Sequence, residues 1–265
     1  MSEFNGRKAL VTGGSRGIGR AIVRRLASDG ADVVINYNSN ESAANEIAAE
    51  VRGLGRHAVI IQADVSVQKE AERLANESIE ALDSIDILVN NAGIGATAVG
   101  RPHVAEATPE DFERLMAAHA FASHDLCRVL VPQMREADRG DIVMISSIAA
   151  QSFGPTGGTY AAAKAAMEAL AFSLAKEERG NNIHVNIVAP GLIETDMADM
   201  MVKFQGRVTD SIAELADESP FGRLGSPDDI AGAVAFLCSA RASYITCLLY
   251  TSPSPRDQRG SSKPA

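Results

Sequence analysis

Tyr160 and Lys164 are the residues of this chain whose types and spacing could move a proton. Four apart on a helix, they share a face. A free tyrosine titrates near pH ~10, too high for efficient proton transfer at neutrality. A neighbouring ammonium favours the phenolate and lowers that value. Tyr160 would then act as a general acid or base. Ser147 stands thirteen residues before it, just after an apolar run. Its hydroxyl could hydrogen-bond a substrate oxygen and stabilise developing charge, with Ser146 as the alternative. On an ordinary surface helix the Tyr-Lys pair would do nothing, so its meaning depends on the elements around it.

A second group with chemical meaning is Thr12-Gly13-Gly14-Ser15-Arg16-Gly17-Ile18-Gly19. It follows a predicted strand at 8–11 and opens a predicted helix at 20–28. Glycines let backbone N–H groups approach a pyrophosphate, and a helix N-terminus favours its charge. No Gly-Lys-Ser/Thr follows, which sets aside a mononucleotide P-loop. Further apolar runs predict strands at 32–37, 58–61, 86–89, 141–145 and 184–188. Helices are expected at 41–51 and 160–176. Others begin after Thr108 and Ser226, each an N-cap followed by proline and acids. Continuous Val/Ile/Leu runs fit strands buried on both sides. Their alternation with helices predicts an α/β fold: a single-domain, Rossmann-type, doubly wound parallel sheet with helices on both faces.

Taken in chain order, the TGxxxGxG spacing, Asn90-Asn91-Ala92-Gly93, Tyr160-Ala161-Ala162-Ala163-Lys164 and Pro190-Gly191 resemble the short-chain dehydrogenase/reductase family, over residues 6–246. Within it the chain is most similar to 3-oxoacyl-thioester (acyl-carrier-protein) reductases and broad-specificity carbonyl reductases. The resemblance implies nicotinamide-dependent interconversion of a carbonyl and a secondary alcohol. It favours Ser147 over Ser146 as the third catalytic residue. Around the cofactor it places Gly13, Ser15, Arg16, Gly17, Ile18 and Gly19 at the pyrophosphate and Asn38 near the adenosine phosphate. Asp64 and Val65 would hold the adenine, and Asn91, Ala92 and Gly93 would pass beside the ribose. Tyr160 and Lys164 fall at the nicotinamide ribose, Pro190 and Gly191 in the later cofactor turn, and Ile193 and Thr195 at the carboxamide. Residues 191–225 would form a flap over the substrate, with Met197, Met200, Met201 and Phe204 as an adaptable apolar wall. The same residues also fit an amphipathic helix that simply packs on the domain.

His119 occupies the position of a family asparagine that supports a water in a proton relay behind the lysine. Histidine also donates and accepts hydrogen bonds, and it would add a titration. A hydrogen-bonded structural histidine is the other reading. His57, His103, His124 and His184 read as surface or structural. The second strand ends in Asn36-Tyr37-Asn38-Ser39, without the acid that would bind the ribose hydroxyls of NAD. Arg16 can instead face a 2′-phosphate. NADP(H) is therefore expected, against the reading of Arg16 as a solvated loop residue.

The resemblance implies a small-molecule carbonyl or acyl substrate as partner, and composition argues against other classes. The net charge of −9 argues against a nucleic-acid footprint. No apolar run approaches a membrane span, and the first eight residues contain no signal-peptide core. Three cysteines without metal spacing point to a reduced, cytoplasmic protein and to no metal site. A homo-oligomer, tetramer or dimer, is implied by the resemblance. The alternative to an enzyme is an NADP-binding scaffold or regulator without turnover. After Thr246 the family pattern, a glycine and a last strand, gives way to Cys247-Leu248-Leu249-Tyr250-Thr251-Ser252-Pro253-Ser254-Pro255-Arg256-Asp257. That peptide resembles the conceptual translation of a transposon-based sequencing adaptor. Domain 1–246 is thus expected to be followed by a non-native tail, 247–265. The tail should leave the sheet incomplete, lend at most a brief pairing through residues 248–250, and be disordered beyond Thr251. A natural divergent tail is the other reading.

Overall fold

Ala9 and Val11 point into one apolar core and Leu10 into another. The same period of two divides Val33 and Ile35 from Val34, Ile87 and Val89 from Leu88, and Val143 and Ile145 from Ile142 and Met144. A strand with both faces buried needs helices on both sides. In the computed structural model, which describes residues 2–204, 216, 219 and 221–253, that is the architecture. Seven strands form one sheet in the order β3-β2-β1-β4-β5-β6-β7: β1 (Lys8–Val11), β2 (Asp32–Tyr37), β3 (Ala58–Gln62), β4 (Ile87–Asn90), β5 (Gly140–Ile145), β6 (Ile183–Ala189) and β7 (Leu249–Thr251). Every pairing is parallel.

The first core joins the sheet to α1 (Gly17–Ser28), α2 (Glu41–Gly53) and, from near the C-terminus, α9 (Pro227–Cys238). The second joins it to α3 (Gln68–Leu82), α5 (Ala122–Met134) and α7 (Gly158–Glu178). The remaining α-helices among the described residues are α4 (Pro109–Met116), α6 (Ala149–Ser152) and α8 (Asp196–Phe204). Helix α3 had no counterpart among the predicted elements. Its buried stripe is mostly small, with Ala71, Ala75 and Ser78 beside Leu74 and Leu82. The N-caps at Thr108 and Ser226 form as expected. The Thr108 side chain accepts from the Asp111 N–H, and Ser226 closes a capping box with Asp229. The helix begun at Thr108 is not uniform, because a π-helical turn (Ala117–Phe121) separates α4 from α5.

β1 lies between β2 and β4, so the chain winds outward in both directions from it. The crevice at the carboxyl ends of β1 and β4 is the switch point where such sheets bind ligands.

The expectation of an incomplete sheet is corrected by β7. Leu249, Tyr250 and Thr251 pair with Ile187, Val188 and Ala189. The apolar segment ahead of the first tail proline fills the edge position, where only one side needs backbone partners. Past Thr251, Ser252 is held by a bond from its N–H to the Ala189 carbonyl. Residues 254–265 lie outside the described residues.

Candidate active site

Two glycines shape the loop, one through its backbone conformation and one through a close contact. Gly17 has φ +51, a left-handed conformation that favours glycine. A Cβ on Gly19 would lie 2.2 Å from the Gly13 carbonyl oxygen. Buried Asn36 pins the loop from β2: its Oδ1 accepts from Gly13 N at 3.1 Å, and its Nδ2 donates to the carbonyls of Ile61 and Ala63. From β4, Asn91 Nδ2 donates to Thr12 O at 2.8 Å, and Thr12 Oγ1 accepts from Asn91 N and Ala92 N, both at 2.9 Å. Helix α1 starts at Gly17 with no side-chain cap on its first turn. The loop therefore offers a side-chain-free cradle at a helix N-terminus, which fits a dinucleotide pyrophosphate. Arg16 and Asn38, expected to face the adenosine phosphate, are both exposed. Asp64 accepts from both the N–H and the hydroxyl of Ser66, and Val65 is buried. At the other end, Thr195 lies across from Gly17, 3.5 Å from where its Cβ would sit. The Ile193 side chain is buried, and its carbonyl accepts from the Thr195 hydroxyl at 3.3 Å. Gly191 N donates to Ser252 Oγ at 2.8 Å.

Helix α7, β5 and the π-turn bring the proposed proton-transfer residues together. Ser147 lies beside the Tyr160 phenol, close enough to act on its titration. Lys164, buried, donates from Nζ to the Ile145 carbonyl at 2.7 Å. Ser146 is directed elsewhere, to Glu168, in keeping with the choice of Ser147. Burial raises the Tyr160 pKa, and Ser147 partly opposes this. That corrects the expectation of a phenol acidified by Lys164: burial is the larger effect here. Burial also lowers the Lys164 pKa to about 7, with the charge of Glu168 acting in the opposite direction.

His119 lies in the π-turn, its ring edge-on to Tyr160 with centroids 5.4 Å apart. Its Nε2 donates to the Ile94 carbonyl at 3.0 Å, while Nδ1 is buried without a partner. Gly93 makes room for it, since a Cβ there would lie 2.3 Å from the ring. Burial and then Lys164 push its pKa to about 2. The added titration near neutrality is therefore absent, because a second cation beside Lys164 in a desolvated site is too costly. Residues that the sequence reading missed are Asn36, Gln151 and Glu168. A signal for Glu168 existed in its spacing, four beyond Lys164.

Residues 13–249 match the family model described as enoyl-(acyl carrier protein) reductase. The chain belongs to the short-chain dehydrogenase/reductase family. It is 36% identical to the 3-oxoacyl-[acyl-carrier-protein] reductase FabG of Chlamydia pneumoniae, over 91% of this chain and 93% of that one. It is 35% identical to an NADPH-dependent aldehyde reductase-like protein of Arabidopsis thaliana, over 91% and 90%. Among solved structures it resembles a 7α-hydroxysteroid dehydrogenase complexed with NADH and 7-oxo glycochenodeoxycholic acid, with TM-score 0.84, 34% identity and 94% of each chain covered. It also resembles a metagenomic blue fluorescent protein in complex with NADPH, with TM-score 0.84, 35% identity and coverage of 94% and 97%. This dehydrogenase/reductase is thus a Rossmann-type oxidoreductase-family protein whose structural neighbours include complexes with NADH and with NADPH.

Proposed function

We propose that this protein is an NADP(H)-dependent carbonyl reductase, reducing a ketone or 3-oxoacyl group to a secondary alcohol. The observation that carries the reading is the meeting of Ser147, Tyr160 and Lys164 beside an open glycine cradle. When bound, the nicotinamide supplies the hydride. Tyr160, kept protonated by burial, donates its proton to the carbonyl oxygen. Ser147 hydrogen-bonds that oxygen as charge develops on it. Lys164 supports the phenolate left behind and, by family resemblance, the nicotinamide ribose.

The choice of NADP(H) rests on exposed Arg16 and on the absence of a carboxylate at the end of β2. The neighbour with NADPH agrees with it, whereas the hydroxysteroid dehydrogenase with NADH shows that the fold serves both. The substrate side is apolar. Met197 of α8 reaches the loop after β4, its Cγ 3.4 Å from where a Gly95 Cβ would lie, and Met197, Met200 and Phe153 are exposed. This supports a flap at 191–225 over an apolar or acyl substrate, although much of that segment lies outside the described residues.

Exposed Phe121 and Leu170 with Met116 and Ala120 line an apolar face between the π-turn and α7. That face supports a homo-oligomer, to be checked by sedimentation of the wild type and Phe121→Glu. No helix among the described residues is long and apolar enough to cross a membrane. The free cysteines fit the proposed cytoplasmic location. We also hold that residues 247–265 replace the native ending of the domain, which sequencing the locus through its stop codon would decide.

The test is a panel of carbonyl substrates with NADPH and NADH, followed at the nicotinamide absorbance. Turnover with NADPH, tighter binding of NADPH than NADH, and loss of turnover but not of NADPH binding in Tyr160→Phe are expected. Full turnover in that variant overturns the mechanism. NADPH binding with no turnover on any substrate favours the scaffold reading instead.

A further inference from the structure

Helix α7 carries a third polar residue in register with Tyr160 and Lys164. Glu168 lies four residues beyond Lys164 and eight beyond Tyr160, so the three share one face. Its side chain is buried, at 7% exposure, where a carboxylate is costly unless it is well partnered. The partners are present. Glu168 accepts from the Ser146 hydroxyl, and Gln151 Nε2 donates to its two oxygens at 2.7 and 2.8 Å.

The result is a pair of ties between α7 and two consecutive residues where β5 ends, immediately ahead of Ser147. Lys164 holds the Ile145 carbonyl and Glu168 holds the Ser146 hydroxyl. A packed core would fill the Glu168 position more cheaply with an apolar side chain, as it does at Met167 and Ala171 on the same helix. The titratable groups around Lys164 are Tyr160 and Glu168 from its own helix and His119 from the π-turn. Of these, Glu168 supplies the negative charge that opposes the effect of burial on Lys164.

We propose that Glu168 is a positioning residue for the proton-transfer pair: it fixes the β5 end that presents Ser147, and it sets a buried carboxylate one helical turn from the Lys164 ammonium. This rests on the reading of Tyr160 as the proton donor. The two roles separate by mutation. Glu168→Gln removes the charge but can still accept from Ser146. Ser146→Ala removes the tie to the strand and leaves the charge in place.

The experiment measures kcat, KM for NADPH, melting temperature and the pH profile of kcat on the best carbonyl substrate. It also follows the titration of Lys164 in the cofactor-free protein by ¹⁵N NMR of its ammonium group, assigned with Lys164→Met. In Glu168→Gln, kcat should fall about tenfold, the loss of one charged interaction, with KM for NADPH within about twofold. The Lys164 titration and the high-pH limb of kcat should both move to lower pH, by about one unit. Glu168→Asp, which restores the charge, should recover most of the lost kcat. Ser146→Ala should lower kcat without moving the Lys164 titration, and it serves as the test of the strand tie if Glu168→Gln does not fold. An unmoved Lys164 titration in Glu168→Gln or, should that variant not fold, in Glu168→Ala overturns the proposal, as does a kcat loss that only tracks a lower melting temperature. Retained turnover in Tyr160→Phe sinks the mechanism above instead, and the Lys164 titration still decides whether Glu168 acts on the ammonium.

Discussion

Lys164 shows what the site costs the fold. Burial lowers its pKa to about 7, whereas in an unfolded chain lysine titrates near ~10.4. Between those values the unfolded chain binds more protons, so the contribution of Lys164 to stability rises with pH across that window. The unfolding free energy of wild type minus that of Lys164→Met should therefore grow from pH 7 to pH 10. A difference that stays flat would mean that Lys164 is not desolvated in the folded protein. Its neighbour His119 titrates far below this range and should add no limb to a pH–rate profile. Its stability role is concrete. His119→Ala would orphan the Ile94 carbonyl and open a cavity against Tyr160, costing about 2–4 kcal/mol in denaturant unfolding. His119→Asn can donate to the same carbonyl and should keep most turnover. Equal melting temperatures for the alanine variant and wild type would contradict this.

At the level of elements, the strands that carry the site were readable because both faces of each are buried and apolar. The helix starts at Thr108 and Ser226 were readable because capping chemistry is local. The π-turn was not, since Ala117-Ala118-His119-Ala120 carries no local sign of a shifted hydrogen-bond ladder. Such turns often mark functional positions, and this one puts His119 against the Ile94 carbonyl and Tyr160. Asn36 was passed over for a similar reason. It sits inside an apolar strand, and only the tertiary fold shows its side chain holding Gly13. Tyr160 and Lys164 were legible because a helical spacing sets their relation directly, whereas the choice of Ser147 over Ser146 came from the family resemblance. The glycine loop yields the sharpest test at this scale. In Gly19→Ala the new methyl would meet the Gly13 carbonyl at 2.2 Å and Asn91 Nδ2 at 2.6 Å. The loop must open, so NADPH affinity should fall at least tenfold while the protein loses about 1–3 kcal/mol of stability. Wild-type affinity in that variant would show that the pyrophosphate does not bind at this loop.

Across the whole molecule, the edge of the sheet is where sequence and fold disagree most. The chain folds as one three-layer unit from β1 to β6, yet its last strand comes from a segment whose sequence departs from the family pattern. Leu249 to Thr251 pair with β6 because any short extended apolar segment can satisfy an edge ladder. Entry into that strand is less tolerant. Cys247 has φ +63, the left-handed region, at the position where the family pattern has glycine. A side chain there costs roughly 1–2 kcal/mol, partly offset because the Cys247 side chain packs on the second core. Comparing Cys247→Gly with Cys247→Ala cancels that offset, since neither keeps the thiol. At an ordinary position alanine is the more stabilising of the two, because glycine leaves the unfolded chain more freedom. Here the order should reverse, with glycine ahead by about 1 kcal/mol, a shift of roughly 2–4 °C in melting temperature for a chain of this size. Alanine at or above glycine would mean that the backbone at Cys247 does not turn left-handed, and that residues 249–251 do not enter the sheet through this turn.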